Sequence, residues 1–250
     1  MKTKRFGLIG KNIDYSFSRG YFTEKFSKLK LDCSYENFDV ESLQLFADLI
    51  SESHDIKGFN VTIPYKESII PYLDSLSTKA KKIGAVNTIR IDRKGNLKGY
   101  NTDWYGFYYS LKPLLKYSHK RALILGTGGA SKAVEYALKK LGIKYQFVSR
   151  TKHDDSLTYE ELTSKHLERH TIIINTTPVG TFPDIEEMPE IPVEWLTAKH
   201  IVFDLIYNPE ETKLMREAAK RGAITKNGYE MLVLQAEKAW TIWNKTFVSD

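Results

Sequence analysis

Three stretches hold residues whose types and spacing could do chemistry. In Asn60-Val61-Thr62-Ile63-Pro64-Tyr65-Lys66, a beta-prone run over 56–62 gives way to polar groups. Ligands collect outside the carboxyl ends of strands in open α/β sheets, so Asn60, Thr62 and Lys66 stand where ligand groups gather. Pro64 suits the first turn of a helix and would carry Lys66 into that turn. The positive end of the helix dipole disfavours a cation there, which suits a general acid; a solvated lysine is the plainer alternative. Ser16 and Ser18 bracket the start of an amphipathic segment over 21–31, either as N-caps or as donors to an anion held at the helix terminus. The third stretch, Gly126-Thr127-Gly128-Gly129-Ala130, joins an apolar run over 122–125 to a helical pattern over 130–141. Glycine permits a tight turn and lets backbone N–H groups approach a pyrophosphate, although close packing alone would also select it.

The chain after these glycines repeats the strand-then-polar-tip pattern. A strand over 144–148 ends in Ser149-Arg150-Thr151-Lys152, about twenty residues on, where an NAD site carries an acid for the ribose 2′-hydroxyl. No acid stands at this tip, although Asp154 and Asp155 follow closely. The forked guanidinium of Arg150 suits a 2′-phosphate, with Thr151 and Lys152 as further donors; an exposed strand-end arginine is the alternative. A buried run over 171–174 leads into Asn175-Thr176-Thr177-Pro178-Val179-Gly180, and one over 201–205 leads into Ile206-Tyr207-Asn208-Pro209. Asn227-Gly228-Tyr229 opens a last helix to about Asn244, with Gln235 near its apolar stripe and in need of a partner.

Length and composition narrow the classes. The 250 residues are 42% hydrophobic and 27% charged, ordinary for a globular protein with one or two domains. The net charge of +6 suits anionic ligands, but the basic residues are scattered and lack the aromatic interleaving of a nucleic-acid platform. Small phosphorylated or carboxylated ligands, and no nucleic acid, are expected. The apolar runs are too short to span a bilayer, so no membrane partner is expected. Met1 to Arg5 is basic, but the apolar stretch after it is shorter than that of a signal peptide, which predicts a cytoplasmic protein. Cys33 is the only cysteine, which excludes an intrachain disulfide. His166 and His170 share helical spacing without the carboxylate a zinc protease needs, so no metal is expected.

The elements that must position these groups alternate β and α from the first strand, over 5–9, onward. The reading is a two-domain α/β protein.

The Ser16/Ser18 pair, the stretch from Asn60 to Lys66, Gly84-Ala85-Val86-Asn87-Thr88, Gly99-Tyr100-Asn101-Thr102-Asp103 and the G-x-G-G-A turn resemble the shikimate dehydrogenase family in order and spacing. The D-x-x-Y-x-P-x-x-T of Asp204 to Thr212 and the G-x-x-M-L-x-x-Q of Gly228 to Gln235 are similar to later motifs of that family. The resemblance implies an N-terminal α/β substrate domain, 1–104 with 229–250, joined to a Rossmann-like parallel-sheet NADP-binding domain over 105–228, with the site in the cleft between them. It also implies NADPH-dependent reduction of 3-dehydroshikimate to shikimate, with Lys66 and Asp103 as the catalytic pair. Ser16 and Ser18 would hold the substrate carboxylate, and Thr62, Asn87 and Asp103 its hydroxyls, with Asn60, Tyr207 and Gln235 as further substrate ligands. Gly126, Thr127, Gly128, Gly129, Ala130, Ser149, Arg150, Thr151, Lys152, Thr176, Ile206 and Gly228 would line the NADP. The protein would act as a monomer or homodimer. An NAD-using quinate/shikimate dehydrogenase and a silent NADP-binding regulatory protein are the rival readings. Tyr15 stands where the family usually has His, and Arg19 where it has Pro; the usual N-R-T at the strand tip is S-R-T.

Overall fold

Apolar residues alternating along the first strand fix its place between two cores. In the computed structural model, which describes residues 3–14, 16–52, 55–152 and 156–244, β1 (Lys4–Gly10) turns Phe6 and Leu8 to one face and Ile9 to the other. Around it stand α1 (Phe17–Lys28), β2 (Cys33–Asp39), α2 (Gln44–Glu52) and β3 (Ile56–Val61). The chain continues through β4 (Ser75–Leu76), α3 (Thr78–Ile83), β5 (Thr88–Ile91) and β6 (Leu97–Tyr100). Together the strands form a six-stranded sheet in the order β2-β1-β3-β5-β6-β4. β1 pairs in parallel with β2 and β3, whereas β5 runs antiparallel to β3 and β6.

The second sheet is parallel throughout. After α4 (Asp103–Leu111) come β7 (Arg121–Leu125), α5 (Gly129–Leu141), β8 (Lys144–Ser149), β9 (Ser156–Thr158), α6 (Ser164–Arg169) and β10 (Ile172–Asn175). Then follow β11 (Ile201–Asp204), α7 (Lys213–Lys220), β12 (Ile224–Lys226) and α8 (Tyr229–Asn244). The strand order is β12-β11-β10-β7-β8-β9, the doubly wound arrangement that a run of right-handed βαβ crossovers produces. Its strands are apolar on both faces, as a parallel sheet covered by helices requires. Ile124, Ile174 and Phe203 meet α4 and α5, and Leu123, Ile173 and Val202 meet α6 and α7.

The described residues divide into two compact units, one running to Thr102 and resuming at Ala236, the other spanning Asp103–Gln235. The division falls inside α8. Beyond it Ala236, Ala239 and Trp243 pack with Phe6, Phe22, Phe26 and Tyr35, and the Trp243 indole donates to the Ile89 carbonyl at 2.9 Å.

Two expectations about local structure need correction. The helix predicted over 21–31 starts at Phe17 and stops at Lys28, because Lys30 takes a left-handed φ of 51° that ends the helical run. The helix predicted from Pro64 is a series of turns. Ile69 N–H does reach the Tyr65 carbonyl at 3.0 Å, but Pro71 lacks the N–H that would continue the ladder, and the chain tightens into a 3-10 turn over Ile70–Tyr72. Lys66 therefore lies in no α-helix, and the dipole argument for it has no helix to rest on.

Gly58 on β3 shows how tightly the first sheet meets α8. A Cβ there would fall 2.3 Å from Trp243 Nε1 and 2.7 Å from the Ile89 carbonyl oxygen, the acceptor of that indole. Gly58→Ala should therefore cost about 1–3 kcal/mol of stability. Urea unfolding followed by tryptophan fluorescence measures it, and an unchanged midpoint would show that the indole has room to move.

Candidate active site

In each sheet the chain starts at a central strand and reverses direction beside it, and the crevice at that reversal is where the sequence puts its polar groups. In the first sheet the reversal lies between β1 and β3. Thr62 N–H donates to the Ile9 carbonyl at 2.9 Å and Lys11 N–H to the Ile63 carbonyl at 3.3 Å, which ties the two strand ends together. Gly10 makes this approach possible, because a Cβ on it would stand 2.5 Å from Ile13 Cγ2 and 2.6 Å from Thr62 Cγ2.

Ser16 and Ser18 follow β1. Ser16 occupies the N-cap position of α1, yet its side chain makes no cap bond. Its hydroxyl oxygen is buried and has no hydrogen-bond partner among the described residues. A buried hydroxyl left unpaired costs free energy, so this geometry favours a hydroxyl kept for a ligand over a capping one. Ser18 lies half-buried in the first turn of α1. Tyr35 was not among the residues singled out by sequence. It is buried on β2, stacked on Phe22 at 4.8 Å, and donates to Asn60 Oδ1 at 2.8 Å. Burial pushes its phenol far above the ordinary value. Tyr15 lies outside the described residues, and Arg19 donates to the Asp14 carbonyl at 3.2 Å.

The network continues behind the crevice. Asn60 Nδ2 donates to the Asn87 carbonyl at 3.2 Å and to Thr88 Oγ1 at 3.3 Å, so both its amide hydrogens are committed and only Oδ1 retains capacity. Asn87 Oδ1 accepts the Thr102 N–H at 2.6 Å, and its Nδ2 donates to Thr102 Oγ1 at 2.9 Å. The Lys66 carbonyl accepts the Val86 N–H at 2.7 Å, which fixes the lysine backbone beside the segment that carries Asn87. Thr62, Lys66, Asn60, Asn87, Ser16 and Ser18 thus belong to one unit, supported by Tyr35, Thr88 and Thr102.

The second sheet reverses between β7 and β10 in the same manner. Thr176 sends both its N–H, at 3.0 Å, and its hydroxyl, at 2.6 Å, to the Leu125 carbonyl. Gly126 sits there at a φ of 97°, and a Cβ on it would lie 2.9 Å from Thr177 Cγ2. Gly128 is the N-cap of α5, no side chain caps that terminus, and its first turn holds no acid. A Cβ on Gly128 would meet nothing within 4 Å, so protein packing does not explain this glycine. An open glycine before an uncapped helix N-terminus fits a pyrophosphate, and the exposed Arg150, Thr151 and Lys152 at the tip of β8 supply donors beyond it. Asp154 and Asp155 lie outside the described residues.

The loops after β10 and β11 share a buried hub. Asp204, fully buried at the end of β11, accepts from Asn175 Nδ2 at 3.0 Å, from the Ile206 N–H at 3.1 Å and from the Thr212 hydroxyl at 2.7 Å. Asn175 Oδ1 in turn holds the Thr177 N–H at 3.0 Å, and the Ile206 carbonyl accepts the Gly228 N–H at 2.9 Å. Gly228 has no room for a side chain, since a Cβ would stand 2.1 Å from the Leu205 carbonyl oxygen. Tyr207 is half-buried on the loop after β11, while Asp103 opens α4 and Gln235 is buried on α8, both in the second unit. Gln235 lies where α8 passes Gly106 of α4, whose Cβ would come 3.2 Å from that of Gln235.

Among the described residues no group of three or more His, Cys, Asp or Glu could hold a metal ion, and no helix is long and apolar enough to cross a membrane.

The family model described as shikimate dehydrogenase substrate binding domain matches residues 8–89. A shikimate dehydrogenase (NADP(+)) of Caldicellulosiruptor saccharolyticus is 37% identical over 96% of this chain and 92% of its own. Among solved structures, shikimate dehydrogenase from Aquifex aeolicus superposes with a TM-score of 0.87 at 36% identity, covering 99% of this chain and 94% of the other. The enzyme from Thermus thermophilus, in complex with NADP(H) and shikimate, gives 0.86 at 30% identity over 99% and 95% of the two chains.

Two outcomes follow from these geometries. Ser16→Ala should leave stability within about 0.5 kcal/mol of the parent, because no bond is lost, whereas removal of a working N-cap costs about 1 kcal/mol; thermal melts distinguish them. Burial pushes the Asp204 carboxyl from 3.8 up to about 6, against three donors that pull it down. Its folded value lies above its unfolded one, so its contribution to stability declines as pH rises from about 4 to about 6. Asp204→Asn removes that dependence. Its stability relative to the parent should therefore climb by up to ~3 kcal/mol between pH 4 and pH 6.5, measured by denaturant unfolding at each pH. A flat difference would place the carboxyl at its ordinary value.

Proposed function

The chain belongs to the shikimate dehydrogenase family, and from that premise we infer that it is an NADP-dependent oxidoreductase interconverting 3-dehydroshikimate and shikimate, a step of aromatic amino-acid biosynthesis. Coverage carries the reading. A relative 37% identical matches 96% of the chain, so the motifs of both units fall inside the match.

NADPH, when bound, supplies a hydride to the carbonyl carbon of 3-dehydroshikimate. As that hydride arrives the carbonyl oxygen gains negative charge, and the Lys66 ammonium is proposed to stabilise it and deliver the proton that completes the alcohol. Asp103 is proposed as the carboxylate that orients the lysine and accepts a substrate hydroxyl. Ser16 and Ser18 are assigned the substrate carboxylate, and the unpartnered Ser16 hydroxyl supports that assignment. Thr62 and Asn87 take ring hydroxyls, with Asn87 held rigid by Thr102. Asn60 contributes through its remaining acceptor capacity on Oδ1, and Tyr207 and Gln235 complete the substrate ligands. On the cofactor side Gly126 to Ala130 receive the pyrophosphate, and Ser149 to Lys152 the adenosine ribose with its 2′-phosphate. Thr176, Ile206 and Gly228 frame the nicotinamide end. The proposed place of work is the cytoplasm.

The experiment is spectrophotometric. Purified protein should reduce NADP⁺ when given shikimate, and Lys66→Met should lower kcat by roughly 10²–10⁴-fold while both ligands still bind. A Lys66→Met protein with near-normal kcat would remove the lysine from the chemistry, and no turnover by the parent would overturn the function itself.

A further inference from the structure

The tip of β8 carries an anion as well as its cations. Lys152 Nζ stands 2.6 Å from each carboxylate oxygen of Glu161. Glu161 closes the 3-10 turn Tyr159–Glu161, and its Oε2 also accepts the Thr158 N–H at 2.8 Å, as a capping box does. Lys152 first, and the Thr158 N–H after it, hold this carboxyl below its ordinary range. The result is a full negative charge, anchored by its own turn, on the lysine assigned to the cofactor's 2′-phosphate.

We propose that Glu161 is a specificity-determining residue: it competes with the 2′-phosphate for Lys152 and so holds down the preference for NADP over NAD that Arg150 and Lys152 would otherwise give. The inference rests on the reading of Arg150 and Lys152 as 2′-phosphate ligands. An ammonium has three hydrogens, and the contacts with both Glu161 oxygens occupy two directions. A phosphate arriving at Lys152 must displace the carboxylate or share the ammonium with it, and in either case it meets a like charge at close range. NAD carries a neutral hydroxyl at that position and meets neither cost. Discrimination between the cofactors is a difference of affinities, and a repulsive group acting on one of them alone changes that difference directly.

Glu161→Gln is the informative variant, because the amide oxygen can still accept the Thr158 N–H while the charge is gone. Dissociation constants for NADP⁺ and NAD⁺ are measured by titration calorimetry on the parent, Glu161→Gln, Lys152→Met and the double variant. The pair is exposed and screened, so NADP⁺ should tighten by about 3- to 10-fold in Glu161→Gln, with NAD⁺ within about twofold. In the Lys152→Met background the gain should shrink to less than about twofold. An unchanged or weakened NADP⁺ affinity in Glu161→Gln, or an equal gain for both cofactors, overturns the proposal. Arg150→Ala separates this from failure of the underlying reading. A selective loss of NADP⁺ affinity there, with no gain in Glu161→Gln, overturns the role of Glu161 alone, whereas no selective loss overturns the 2′-phosphate assignment.

Discussion

Each sheet depends on a glycine placed where its first strand ends. At Gly10 and again at Gly126 the neighbouring strand returns so closely that a threonine methyl would collide with any Cβ, at 2.6 Å from Thr62 and 2.9 Å from Thr177. The same backbone bond closes both reversals, from Thr62 N–H to the Ile9 carbonyl and from Thr176 N–H to the Leu125 carbonyl. A larger residue would push the strand ends apart and break the bond that defines the crevice. The polar residues that follow each strand inherit their positions from this contact. Ser16, Thr62 and Lys66 do so in the first unit, and the Gly126 to Ala130 turn and Thr176 in the second.

What stands behind the two crevices differs in kind. In the first unit a relay of neutral groups, Tyr35, Asn60, Thr88, Asn87 and Thr102, is buried and mutually satisfied. Low surrounding polarizability strengthens such bonds and makes an unmade one expensive, which is why the network fixes its members in single orientations. The second unit instead buries a carboxyl, Asp204, whose donors come from β10, from the loop before Tyr207 and from the N-cap of α7. One acceptor with three donors from three segments can hold loops that have few apolar contacts of their own.

The sequence made the crevices legible and left their supports unread. Glycine spacing, strand-end polar residues and the missing acid near Arg150 are local signals, since each depends on neighbours along the chain. Tyr35 carried no such signal. It reads as one more β-prone aromatic, and only its register opposite Phe6 puts its phenol beneath Asn60. Thr88 and Thr102 are likewise recruited by antiparallel pairing of β5, which an alternating β/α reading does not anticipate. Lys66 failed in the other direction. Proline at a helix start is a sound rule, but Pro71 seven residues on removes the N–H that a helix would need, and the segment settles as turns. Glu161 was invisible because its partner Lys152 lies nine positions away across an intervening strand.

On the proposed assignments, the contrast between buried neutral groups and exposed charges would also set how each ligand is discriminated. A site of buried hydroxyls and amides loses its pairing when a ligand lacks the matching group, and that penalty reaches factors of about 10⁴–10⁵ because nothing else can satisfy the orphaned partner. Ser16 already bears part of this cost, with a buried oxygen that no group among the described residues meets. Arg150, Thr151 and Lys152 are exposed, so water solvates them when a phosphate is absent, and salt screens them when it is present. Loss of a 2′-phosphate therefore orphans nothing. On the proposed assignments, strictness toward the substrate would be built into the fold of the first sheet, whereas strictness toward the cofactor would be a balance of surface charges that one residue such as Glu161 could tilt.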